Sequence, residues 1–239
     1  MQYDPRTVAR NIPGIFDEIF PQLTPGLVAH FNSFSKDVCE PISPIYLKKT
    51  TLKPAMLFEL GYAAGEHLIK FAQIDWEKCF LSAIQRQNVF YDAVAPNSLN
   101  YIDKEIAEMV GNNIAKVLIQ LSSDSHEVIN FNPIIPGIEW ISTSQGDFSL
   151  GNTLIEVKCT NRRFSAADYR QIAMYWLLSY AGSLEKKTEE WEEVILLNPR
   201  LGFMVRFNFN NFINVISSGR TKLEIFQLFI SIIGTRSMH

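Results

Sequence analysis

The stretch Gly146-Asp147-Phe148-Ser149-Leu150-Gly151-Asn152-Thr153-Leu154-Ile155-Glu156-Val157-Lys158 decides how this chain is read. Gly151-Asn152 between two alternating segments predicts a two-residue hairpin loop with a primed turn, Gly151 taking the first central position. With that loop, Leu150 pairs with Thr153; counting outward, Asp147 lies opposite Glu156 and Gln145 opposite Lys158. Side chains alternate across a strand, so Asp147, Glu156, Lys158 and Gln145 share one face, while Phe148, Ile155 and Val157 take the other. Directly opposed carboxylates repel unless a cation lies between them. A divalent cation would turn that repulsion into a site, and hard cations such as Mg²⁺ take carboxylate oxygens.

Further along, Gln171-Ile172-Ala173-Met174-Tyr175 places Gln171 and Tyr175 one helical turn apart, on one face with Asp168 and Leu178. Asp147, then Glu156-x-Lys158, then Gln171-x-x-x-Tyr175 together resemble the PD-(D/E)XK nuclease superfamily, in particular its RecB-like branch. Gly146 stands where the pattern has proline, and the match covers roughly residues 127 to 208. The resemblance implies an α/β, restriction-endonuclease-like α-β-β-β-α-β core, a mixed central sheet flanked by helices. It implies Mg²⁺ or Mn²⁺ held by Asp147, Glu156 and the backbone carbonyl of Val157. Lys158 would hold the attacking water or stabilise charge on the phosphoryl oxygens. Gln171 would orient substrate or water, and Tyr175 would contact phosphate or sugar. The implied activity is hydrolysis of DNA phosphodiester bonds, in bacterial defence, restriction or DNA repair, commonly beside a helicase or ATPase subunit. No Walker-type loop occurs, so ATP-driven movement would come from that partner. The competing reading is a nuclease fold with a degenerate site, serving as a DNA-binding or scaffolding subunit.

The family's first core helix usually adds an acid, and here three residues compete. Glu105 and Glu108 lie on the helix before the first core strand, with Asn112 one turn beyond Glu108; Glu66 lies in Gly61-Tyr62-Ala63-Ala64-Gly65-Glu66-His67. The reading leans to Glu108.

Around this core the texture divides. Residues 1–100 read as a helical N-terminal lobe and 101–239 as the nuclease core with a C-terminal helix. Apolar spacing and proline punctuation predict helices from Pro54 to Ala72, Trp76 to Phe90 and Ile102 to Leu121. Strands are expected at Val128–Phe131, Ile138–Leu150, Thr153–Thr160, Trp191–Leu197 and Gly202–Phe209. Ser165-Ala166-Ala167-Asp168 can cap a helix reaching Tyr180, and Lys222–Ile233 closes the chain as an amphipathic helix.

With 239 residues, 47% of them hydrophobic, the chain can bury a sizeable core. No apolar run approaches the roughly 18 residues of a membrane span, and the start lacks a signal-peptide pattern, so a cytoplasmic protein without a membrane partner is expected. Cys39, Cys79 and Cys159 are odd in number and far apart, which suits free thiols rather than disulfides or a zinc knuckle. The net charge of −3 is unevenly spread: from Ile195 onward Arg200, Arg206, Arg220, Lys222 and Arg236 face only Glu224. Arg162, Arg163 and Arg170 follow the acid-x-Lys segment, so a basic rim for flanking phosphates is expected there, extending to Arg200 and Arg206. Nothing in the composition fixes the oligomeric state, and a homo-oligomer is compatible with it.

Overall fold

The computed structural model describes residues 2–12, 14–87, 96, 98–186 and 189–236. In chain order its elements are α1 (Pro5–Asn11), α2 (Gly14–Ile19), α3 (Pro25–Ser33), β1 (Lys36–Asp37), α4 (Pro44–Leu47), α5 (Pro54–Phe71), α6 (Trp76–Gln87) and α7 (Tyr101–Ser125). There follow β2 (Ile129–Phe131), β3 (Ile134–Ile135), β4 (Ser144–Gln145), β5 (Phe148–Leu150), β6 (Thr153–Val157), α8 (Ala166–Lys186), β7 (Glu193–Asn198), β8 (Phe203–Asn208), α9 (Phe209–Ile216) and α10 (Lys222–Arg236). Of the helix expected from Trp76 to Phe90, the last three residues lie outside the described ones.

The molecule is α/β, with a mixed six-stranded sheet in the order β1-β8-β7-β6-β5-β2. β6 and β7 are parallel, and parallel neighbours need a crossover connection, which α8 supplies. The other neighbours are antiparallel. Alternation along the strands divides the core in two. Leu154, Val194, Leu196, Phe203 and Val205 face α8 together with residues of α9 and α10. Phe148, Leu150, Ile155, Val157, Ile195 and Leu197 face Val110, Ile114 and Val117 of α7. Among the described residues no helix is long and apolar enough to cross a membrane.

The first hundred residues take two places. α1 to α3 bury Val8, Phe16 and Phe31 in the α8 layer, and β1 pairs with β8 at the sheet edge. α5 and α6 instead build a small core of Leu60, Ala63, Cys79 and Ala83 against Ile106 and Ala107 of α7. α5 and α7 approach through glycine: a Cβ on Gly61 would lie 2.6 Å from Val110 Cγ1, and one on Gly111 would lie 2.8 Å from Gly65 N.

One expected strand is broken. Instead of running from Ile138 to Leu150, the chain turns tightly at Ile138–Ile141, with Glu139 at a φ of 53°. β4 then pairs with β3 in a separate two-stranded ribbon, and only β5 continues the hairpin. Gly137 enforces this course, since a Cβ there would meet Thr143 N at 2.5 Å.

Candidate active site

The hairpin closes as its spacing predicts, with Gly151 at a φ of 50° and Leu150 opposite Thr153, Ser149 opposite Leu154 and Phe148 opposite Ile155. One step further, Asp147 sits in the bend before β5 and Glu156 in β6. Val157 N–H donates to Asp147 Oδ2 at 2.7 Å, so the carboxylate takes over the place of a ladder acceptor. The Asp147 carbonyl is also held, accepting from Asn132 N–H at 3.0 Å and from the Tyr62 hydroxyl at 2.8 Å. Gln145 does not face Lys158: the β3–β4 ribbon draws it out of the hairpin, and Lys158 N–H donates to Leu197 O at 2.8 Å.

α8 brings the second half of the site. Ser165 N–H and Oγ each donate to Asp168 Oδ2 at 2.8 Å, fixing the first turn. With that start fixed, Gln171 and Tyr175, both fully buried, face the sheet. Lys158 Nζ lies 2.9 Å from both Glu156 Oε1 and Gln171 Oε1. Gln171 Nε2 donates to Glu156 Oε1 at 2.5 Å and to the Tyr175 hydroxyl at 3.0 Å. Asp147, Glu156, Lys158, Gln171 and Tyr175 therefore meet at one place.

Sequence reasoning missed a sixth member. Arg6, 141 residues before Asp147 in the chain, donates from Nε to the Tyr175 hydroxyl and from Nη2 to the Gln145 carbonyl, each at 2.7 Å. Its Nη2 also stands 3.7 Å from Asp147 Oδ1. The local cause is the chain start. Asp4 caps α1 by accepting from Arg6 N–H, Ser144 Oγ donates to Asp4 Oδ2, and Tyr3 bonds the Trp140 carbonyl. No local pattern marks one arginine among many for this role, so the sequence carried no signal for it.

The cluster is electrostatically tense. Burial and the neighbouring Glu156 carboxylate push the Asp147 carboxyl up to about 7, against the pull of Arg6 and Lys158. Burial also works against charge on Glu156, but Lys158 and Arg6 outweigh it and hold that carboxyl below its ordinary value. Burial, then Glu156, keeps the Tyr175 hydroxyl protonated well above the ordinary phenol range. Glu156 Oε2 is buried without a hydrogen-bond partner. Buried acceptors are almost always satisfied, so an orphaned carboxylate oxygen beside a second, proton-retaining carboxyl suits a cation. Among the described residues, however, no three His, Cys, Asp or Glu side chains form a ready metal cage.

A cleft of about 550 Å³ opens beside Asp147, lined by Arg6, Phe58, Glu59, Tyr62, Arg86 and the β3–β4 ribbon around Gln145. Glu108 and Asn112 do not approach it. The stripe Ile106, Val110, Ile114 buries one face of α7 and turns Glu108 to solvent, because it lies two residues from each of the first two. On α5, Glu59 lines the cleft, its carboxyl raised by burial, and Glu66 pairs at 2.5 Å with Arg86, which also lines it. Glu66 Oε1 is buried without a partner. Glu105 is half-buried on α7, and His67 packs its ring on Phe71.

Four of the arginines expected in the basic rim are engaged elsewhere. Arg162 pairs with Asp168 at 3.2 Å, and Arg163 donates to the Asn32 carbonyl at 2.9 Å. Arg170 donates to the Ala9 carbonyl at 3.1 Å, and Arg206 pairs with Glu193. These arginines fasten α3, α8, α1 and β7 rather than standing free. Cys39, Cys79 and Cys159 are free thiols whose pKa values burial raises to about 11, 11 and 12.

No protein-family model matches the chain, and neither the curated proteins nor the solved structures contain a match to it.

Proposed function

We propose that the chain is a metal-dependent nuclease of the PD-(D/E)XK kind, hydrolysing phosphodiester bonds of DNA. The observation that carries this reading is the convergence of Asp147, Glu156, Lys158, Gln171 and Tyr175 beside the cleft, with Glu156 Oε2 unpartnered. Asp147 and Glu156, with the Val157 backbone carbonyl, are the groups that would hold Mg²⁺ or Mn²⁺. Bound there, the cation would polarise a phosphoryl oxygen and offset the negative charge that develops during displacement.

The chain's own residues do the rest. Lys158 is held 2.9 Å from Glu156 by a bond that Gln171 shares, so its ammonium is fixed on the acidic face, ready to orient water or donate to a phosphoryl oxygen. Gln171 spans Glu156, Lys158 and Tyr175 and fixes their relative orientation. Tyr175 keeps its proton and can donate to phosphate or sugar oxygen. The restriction-endonuclease-like core belongs to this proposal, as do a role in bacterial defence, restriction or repair and a helicase or ATPase partner.

A second reading has one observation in its favour: no third acid joins Asp147 and Glu156 among the described residues. On that reading the fold binds DNA without cutting it. Purified protein with Mg²⁺ or Mn²⁺ on linear, circular and single-stranded DNA and on RNA separates the two. Metal-dependent cleavage that disappears in Glu156→Gln supports the nuclease; binding without cleavage of any substrate selects the second reading.

A further inference from the structure

Resting on the nucleic-acid reading above, we infer that Arg6 is a substrate-binding residue whose guanidinium takes a backbone phosphate of the strand entering the cleft. The first support is position. Arg162, Arg163, Arg170 and Arg206 are bonded to Asp168, Asn32, Ala9 and Glu193, and none of these four lines the cleft. The cleft lining, in contrast, contains Arg6 and Arg86 as its cations. Arg86 is pinned by Glu66 and lies over the Tyr62 ring, 4.3 Å from its centroid.

The second support is the state of Arg6 itself. Its side chain is 38% exposed, although it reaches a carboxylate that is only 13% exposed. Two of its five N–H donors are used on the Tyr175 hydroxyl and the Gln145 carbonyl. Its 3.7 Å approach to Asp147 is an ion pair without a hydrogen bond. A planar guanidinium with donors to spare, on the lining of a cleft and beside the proposed reacting centre, matches phosphate better than an ammonium would. The orientation is fixed beforehand by the capped start of α1, whose Asp4 is tied to Ser144 on the cleft-lining ribbon. Ordering costs on binding are correspondingly small. Glu59 and Asp147 are the acids that line the same cleft, so removing Arg6 would leave Arg86, already held by Glu66, as its lining cation.

Binding of a short single-stranded oligodeoxynucleotide by the full chain, measured in chelator across a salt series, tests this without relying on cleavage. Arg6→Gln keeps a donor for Tyr175 but loses the charge. Its affinity should fall on the order of tenfold at low salt, and its slope of log K against log salt should lose about 0.7, one phosphate contact on a single strand. Arg163→Gln, outside the cleft, should leave the slope as in the parent. If Arg6→Gln does not fold, Arg6→Lys serves: it keeps the slope and weakens binding several-fold, because the charge stays and the planar fork goes. Parental affinity and slope in Arg6→Gln, parental affinity in Arg6→Lys, equal losses in Arg6→Gln and Arg163→Gln, or no binding by the parent would each overturn the inference. A parent that binds through Arg6 yet cleaves nothing with Mg²⁺ or Mn²⁺ would end the nuclease reading and leave this one standing.

Discussion

Asp103, at the start of α7, is buried, as is Glu156 of the hairpin pair, with Asp147 partly so, but their surroundings differ. The Asp103 carboxylate accepts from Thr50 Oγ1 at 2.6 Å, Thr51 N–H at 3.0 Å and Thr51 Oγ1 at 2.8 Å. Burial pushes its pKa up, but these donors outweigh burial and hold it below the ordinary value of 3.8. At the hairpin two carboxyls face each other, one is driven up to about 7, and one oxygen has no partner. A structural acid is completed by its own chain, whereas at the hairpin Lys158 and Arg6 keep Glu156 charged but leave Asp147 short of positive charge. That shortfall is what a cation would relieve.

The contrast is open to direct attack. Glu156→Gln should lower cleavage per folded molecule by at least the order of 10²- to 10³-fold seen when a single transition-state contact is removed, beyond the stability lost when buried Lys158 is left without its charged partner. Asp103→Ala should act on stability alone. It leaves three donors without their acceptor and should destabilise by about 1–3 kcal/mol, with cleavage per folded molecule unchanged. Calorimetry and a cleavage assay on both variants decide this; two variants with the same profile would erase the distinction.

Acidity sharpens the comparison, because the two sites carry opposite signs. Asp103 titrates below its unfolded value, so its contribution is present above about pH 4 and lost as pH falls through the lower folded pKa. Asp147 titrates above its unfolded value, so in chelator the fold should lose stability as pH rises from about 4 to about 7 and change little beyond. Asp147→Asn should abolish that decline, which melting curves across the range would show. A decline of parental size in the variant would assign it to other groups. The smallest effect belongs to the exposed Arg206–Glu193 pair: Arg206→Ala should cost under about 1 kcal/mol in chemical denaturation.

How much of this the sequence carries depends on the range over which each feature is specified. The hairpin register rests on a period of two residues and a Gly-Asn turn, the Gln171–Tyr175 face on a single helical turn, and both are local. The broken strand was hidden because Ile138 to Leu150 alternates passably, while the close approach of Gly137 to Thr143 that forbids it exists only after folding. β1 is two residues long and pairs with β8, far away in the chain, so no local signal announces it. Of the three competing helix acids, Glu105, Glu108 and Glu66, the reading leans to Glu108 for its place before the first strand, but packing of Ile106 and Val110 rotates it outward. Arg6, Glu59 and Glu66 reach the cleft region through contacts between distant segments. Arg162, Arg163, Arg170 and Arg206 looked free in sequence and proved to be fasteners.

The glycine contacts between α5 and α7 have a bearing on the cleft several residues away. Tyr62, which holds the Asp147 carbonyl, follows directly on Gly61, and Glu59 precedes it by two. The depth to which α5 sinks against α7 therefore sets how far Tyr62 can reach. A methyl group at Gly61, meeting Val110 at 2.6 Å, would act as a wedge that tilts the cleft wall outward and frees the aspartate's backbone from its anchor. The aperture of the cleft is calibrated by hydrogen atoms standing in place of side chains, on a seam between two helices.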